Sequence, residues 1–139
     1  MPKLIPAKTL WLLLPALLLG ACATTSGRMD DLDRTLKNYD RAIRWGQFDA
    51  VYAFRQWKDE ERPTAPQSLK NLRVTQYKVL STDLSIDKQR YTQVVKIHYY
   101  LLDSPREREV TDRQKWEYDE EQKRWWLVSE IPAFLRATN

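Results

Sequence analysis

The sequence predicts an α+β domain in which N-terminal helices pack on a curved antiparallel sheet of about four strands. Two periodicities and one order carry this prediction. Leu32, Leu36, Tyr39 and Ile43 recur at spacings of four, three and four, which is one face of an amphipathic helix. From Leu69 onward the texture changes to β, with runs rich in β-branched and aromatic residues, alternation in the later ones, and short charged turns between them. Helical pattern precedes strand pattern, and short turns between consecutive strands imply an antiparallel meander.

The chain opens on a targeting segment, residues 1–21. Lys3 and Lys8 give a positive start, and Leu10 to Leu19 give an apolar run containing Trp11 and Pro15. Ten helical residues rise about 15 Å, whereas a bilayer core is roughly 30 Å thick, so this run is too short for a stable membrane span. Gly20 and Ala21 are the small residues that a signal peptidase site requires. The run Leu19-Gly20-Ala21-Cys22 resembles the lipobox of bacterial lipoproteins. That resemblance implies cleavage between Ala21 and Cys22, a diacylglycerol group on the Cys22 thiol, and acylation (palmitate) of the new amino group. Cys22 is the only cysteine, so lipidation leaves a mature chain with no thiol, disulfide or cysteine metal ligand. Two or more acyl chains anchor stably, each buried methylene contributing about 0.8 kcal/mol. Ala23 follows the cysteine. Resemblance to enterobacterial lipoproteins then implies sorting to the outer membrane, facing the periplasm, with inner-membrane retention as the open alternative.

Residues 22–30 read as the lipidated N-terminus and a tether, and residues 31–139 as one globular domain. The stretch Ala23 to Met29 is mostly small and polar, and seven extended residues reach about 25 Å at most. Asp30, Asp31 and Asp33 suit the positive end of a helix dipole and are expected to open the first helix. Gly46 is a natural stop in the left-handed conformation. A second helix fits Phe48 to Gln56, with Val51, Tyr52 and Phe54 as buried candidates, and Pro63 and Pro66 bracket a break.

Four strands follow. Leu72 to Ser85 is the first, and Asp87-Lys88-Gln89 turns the chain. Tyr91 to Leu102 is the second, with Tyr91, Gln93, Val95, Ile97, Tyr99 and Leu101 on a mostly apolar face and Lys96, His98 and Tyr100 on a mixed one. Ser104-Pro105 is expected to break it. Glu107 to Tyr118 is the third, with Val110, Gln114, Trp116 and Tyr118 on one side and Thr111, Arg113, Lys115 and Glu117 on the other. Asp119 to Lys123 forms a charged turn, and Arg124 to Ser129 is the last strand. Trp125 and Trp126 are adjacent and therefore point to opposite faces. One is expected in the core and the other exposed or under the segment Ile131 to Leu135.

Composition narrows the function classes. Of 139 residues, 118 remain after the first 21 are removed, enough for one modest core. Loss of Lys3 and Lys8 lowers the formal charge from +4 to +2. Charges of both signs are interspersed, and no basic block points to nucleic acid. With three glycines there is no phosphate-binding glycine loop, and a single histidine with no free cysteine makes a poor metal site.

Two segments make the fold more specific. One is Tyr39-Asp40-Arg41-Ala42-Ile43-Arg44-Trp45-Gly46-Gln47-Phe48-Asp49-Ala50-Val51-Tyr52, a helix–Gly–helix with aromatic anchors. The other is Gln114-Lys115-Trp116-Glu117-Tyr118, a charged turn, then Arg124-Trp125-Trp126-Leu127-Val128. Together they resemble the nuclear transport factor-like superfamily, a cystatin-like cone in which a curved sheet wraps a long helix, over roughly residues 31 to 130. A small outer-membrane assembly lipoprotein with two helices and three strands is the second candidate; the fourth strand favours the first. The superfamily includes isomerases, dehydratases, receptors and scaffolds, so fold alone selects no function. Its enzymes place an Asp–His pair or an Asp–Tyr set inside the cone, and its members often dimerise through the sheet.

No catalytic set stands out. His98 has no orienting carboxylate placed by the sequence, and catalytic pairs need mutual reach. Asp83, Asp87, Asp103 and Asp112 read as turn or strand-end residues. Tyr99, Trp116, Trp125 and Trp126 are the candidate interaction or pocket aromatics. The reading is a membrane-anchored, non-enzymatic binding or assembly module for another envelope protein, without metal or cofactor. The alternatives are a cone that binds a small apolar molecule or lipid and, behind it, an isomerase or hydrolase using His98 or a buried Asp.

Overall fold

The computed structural model describes residues 14–58 and 61–134, with side chains described from residue 24 onward. Two helices, α1 (Leu14–Arg44) and α2 (Phe48–Phe54), precede a short 3-10 helix (Gln67–Asn71) and four strands. The strands are β1 (Leu72–Leu84), β2 (Arg90–Leu101), β3 (Ser104–Asp119) and β4 (Arg124–Leu127). They form one antiparallel sheet in the order β1-β2-β3-β4. The α+β plan expected from the sequence is therefore the observed one.

Helix α1 starts well before Asp30. The segment expected to be a tether is helical, and its last residues already belong to the domain. Arg28 lies 4.6 Å above the Tyr118 ring and pairs with Glu120. Its carbonyl accepts a hydrogen bond from Trp125 Nε1 at 3.1 Å. This packing outweighs the modest helix propensity of Thr24, Thr25, Ser26 and Gly27. Asp31 and Asp33 are consequently interior positions of α1, where they pair with Arg34 and Lys37 along its exposed side. Cys22 and Ala21 fall within α1, but their side chains lie outside the described residues.

The predicted helix face is the buried one: Leu32, Tyr39, Ala42 and Ile43 are in the core, with Leu36 partly buried. Gly46 ends α1 with a φ of 65°, as expected of a residue without a Cβ penalty. Helix α2 is shorter than predicted. Arg55 leaves it to bridge Leu127 in parallel, and the Gln56 N–H donates to the Leu127 carbonyl at 2.9 Å. This contact covers the free edge of β4.

Two register shifts between β1 and β2 (Val74/Gln76 and Val79/Ser81) and one between β2 and β3 (Tyr99/Leu101) bend the sheet. The third shift explains a boundary that the sequence misplaces. Pro105 does not end the strands; it sits within β3, in the interval where the ladder skips and no amide hydrogen is needed. Trp125 is in the core and Trp126 is half-buried, the first of the two placements expected for it. The C-terminal segment crosses the core side instead, where Phe134 is 2% exposed and packs edge-on against Phe48 and Tyr99, with centroids 5.5 and 5.3 Å away. The Tyr99 hydroxyl donates to its carbonyl.

Candidate functional site

The inward row of the sheet is not uniformly apolar. On β3, alternation places Val110, Asp112, Gln114, Trp116 and Tyr118 on the side that faces α1. Asp112 and Gln114 are buried there, at 3% and 1% exposure, beside Gln93 of β2 and Tyr77 of β1. Asp112 is thus no turn residue; it stands mid-strand in the core.

Gln114 is the hub. Its Nε2 donates to Asp112 Oδ2 at 2.6 Å and to the Tyr77 hydroxyl at 2.9 Å. Its Oε1 accepts from Gln93 Nε2 at 2.7 Å and from Trp116 Nε1 at 3.1 Å. Both amide hydrogens and both carbonyl lone pairs are thereby used. Gln93 Oε1 in turn accepts from the Tyr91 hydroxyl at 3.2 Å. Helix α1 closes the network from above with Tyr39, whose ring meets Trp116 edge-on at 5.1 Å and Phe54 at 5.5 Å. The Tyr39 hydroxyl has no hydrogen-bond partner among the described residues.

The electrostatics follow from burial. Desolvation raises the Asp112 carboxyl from 3.8 to about 6, although the hydrogen bond from Gln114 pulls the other way. Burial also pushes the Tyr39 and Tyr77 hydroxyls up, and the nearby Asp112 charge adds to both shifts. An acid that titrates near neutrality beside two phenols has the group types of an acid–base site. Its surroundings are packed: Tyr39 and Trp116 are fully buried, and none of the described clefts is lined by Asp112 or Gln114.

The sequence-predicted residues are dispersed. Tyr99, Trp116 and Trp125 are core residues at 4%, 0% and 1% exposure. Trp126 alone of the four faces outward. The Arg124 guanidinium lies 3.6 Å above its ring, and it borders a cleft of about 430 Å³ with Arg55, Trp57, Lys58, Arg62 and Gln122. His98 is on the outer face, 3.8 Å from Glu107 and 4.0 Å from Glu109, on the far side of the sheet from Asp112. No group of three or more His, Cys, Asp or Glu among the described residues could hold a metal. Nor is any helix among them long and apolar enough to cross a membrane.

The network was hidden by a default reading of aspartate. The signal that reveals it is strict alternation: a residue two before Gln114 and four before Trp116 shares their face. The chain matches no family model, no curated protein and no solved structure.

Proposed function

We propose that this protein is a lipid-anchored envelope lipoprotein acting as a non-enzymatic binding or assembly module. The observation that carries the reading is the continuity of α1. The helix runs from the segment holding Cys22 to the centre of the core, where Tyr39 meets Trp116. Six helical residues from Cys22 to Arg28 rise only about 9 Å, against more than twice that for an extended tether. An anchor at Cys22 therefore holds the domain close to the bilayer, which suits a module that meets a neighbour at the membrane surface.

The outer face of the sheet supports the binding role. Lys78 lies directly opposite Lys96, and Val94 opposite Arg113, with Lys115 two residues further along β3. Like charges paired across strands are unfavourable in an isolated sheet. Glu109 offsets part of that repulsion by pairing with Lys96 at 3.6 Å, and an acidic partner surface would offset the rest. The α+β order and the curved meander also support the proposed nuclear transport factor-like kinship. A charged outer face favours a polar partner over a large apolar homodimer contact.

Site-specific photo-crosslinking in intact cells tests this, with the reactive group at Lys96, Arg113 or Trp126. One discrete adduct with another envelope protein, reproduced from neighbouring outer-face positions, is expected. No discrete adduct from any of the three positions sinks the module reading. Mass analysis of the exported chain tests the anchor: a free Cys22 thiol, or residues 1–21 still attached, removes it.

A second reading, a small apolar ligand, rests on one cleft. The space of about 500 Å³ under the C-terminal segment is lined by Tyr52, Trp57, Leu69, Ile131 and Phe134. Phe134→Trp fills it and is expected to abolish uptake of an apolar fluorophore if that cleft is the site.

A further inference from the structure

The β1–β2 hairpin carries apolar side chains where a soluble surface has little use for them. Ile86 is fully exposed in the turn, and Leu80, Val79 and Leu84 behind it are 50%, 46% and 39% exposed. The turn is rigidly built. The Ser85 N–H donates to the Arg90 carbonyl at 2.9 Å, and Lys88 adopts a φ of 54°. Asp87 Oδ1 accepts from the Ser85 hydroxyl and from the Gln89 N–H. Ile86 is thus held outward by a preorganised turn.

The place of this turn in the fold says what covers it. The Tyr118 N–H donates to the Gln89 carbonyl at 2.9 Å, and Gln89 Nε2 donates to Glu120 Oε1 at 3.5 Å. Glu120 pairs with Arg28, where α1 enters the domain from the Cys22 side. The hairpin end, the β3–β4 turn and the start of the domain therefore share one end of the molecule. At the opposite end stand Trp45, 76% exposed, and the beginning of β1.

We infer that Leu80, Leu84 and Ile86 form a second membrane contact, in which the hairpin end enters the headgroup–acyl boundary beside the Cys22 lipids and fixes the tilt of the domain. The inference rests on the proposed anchor, which brings that end to the bilayer. An apolar rim next to an acyl anchor is the two-signal arrangement that makes membrane attachment stable.

The test uses the full lipidated protein in vesicles of phosphatidylethanolamine and phosphatidylglycerol. With Cys22 acylated, Ile86→Cys supplies a single free thiol for an environment-sensitive fluorophore; Trp45→Cys, about 25 Å beyond Arg28 along the α1 axis, is the control. Flotation with the vesicles, a blue-shifted emission at position 86 quenched by shallow spin-labelled lipid, and an aqueous emission at position 45 are expected. The shift should survive about 1 M salt, because apolar insertion is not screened. A floating protein with matching aqueous emission at both positions overturns the contact while leaving the anchor intact. Failure to float removes the anchor and the contact with it. A shift that grows with protein concentration without vesicles assigns the rim to a second copy and overturns the membrane contact.

Discussion

Replacing Asp112 by Asn is expected to stabilise the folded chain, and only above mildly acidic pH. The folded carboxyl titrates at about 6, against 3.8 when unfolded, because burial disfavours its charge. The folded state holds the proton more tightly, so the stabilising contribution is complete below about pH 4 and lost as pH rises through 6. Two units at 1.36 kcal/mol each amount to roughly 3 kcal/mol of penalty at pH 8. Asn removes the charge and keeps an oxygen for the Gln114 Nε2 bond at 2.6 Å. Its new amide hydrogens need acceptors, and the unpartnered Tyr39 hydroxyl, close enough to feel the Asp112 charge, is one candidate. The expected net gain is about 1–3 kcal/mol at pH 8, or on the order of 4–12 °C in Tm. Near pH 4 the two proteins should agree within about 0.5 kcal/mol. Thermal unfolding followed by circular dichroism from pH 4 to 8 measures both curves. The exposed Asp87, held below its usual range by the Ser85 hydroxyl, adds an opposite slope common to both proteins, so their difference isolates Asp112. Parallel curves, or a wild type at least as stable at pH 8, refute the reasoning.

Three further substitutions probe the same core. Gln114→Leu leaves Asp112, Tyr77, Gln93 and Trp116 without their shared partner and should lower stability by about 3–5 kcal/mol in denaturant titration. Tyr39→Phe removes a buried hydroxyl that bonds to nothing described, and should be neutral or stabilising by up to about 1 kcal/mol. Phe134→Ala empties the space between Phe48 and Tyr99 and should cost about 3 kcal/mol, which chemical denaturation measures.

Much of the fold was legible because periodicity reports which side of an element is wet. The face Leu32–Leu36–Tyr39–Ile43 and the alternation of β2 survive in the structure because burial follows geometry directly. Boundaries fared worse, each for a local reason. Residues 24–29 carry weak helix formers, yet the helix persists because Arg28 and Met29 pack. Pro105 looks like a terminator, yet the ladder skips around it. The site was the least legible part. A buried acid in a strand is rare enough that aspartate defaults to turn chemistry. Of the four hydrogen bonds around Gln114, those to Asp112 and Trp116 lie within β3, but those to Gln93 and Tyr77 depend on three strands meeting, which no local window contains.

The buried network and the proposed anchor bear on one problem. A helix packed only by aliphatic side chains can slide by a turn, about 5.4 Å, at small energetic cost. Here Tyr39 fits edge-on over Trp116, whose indole is fixed by Gln114, and Arg28 stacks on Tyr118. These two oriented contacts lie eleven residues apart on α1, about 16 Å along its axis. A slide that improved one would break the other. Polar groups in a core often contribute less to stability than to uniqueness of packing, and Asp112 is the member that destabilises at neutral pH. A domain attached, as proposed, through its own central helix would need that uniqueness, because any slip of α1 would change the height and tilt of the proposed binding face above the lipid.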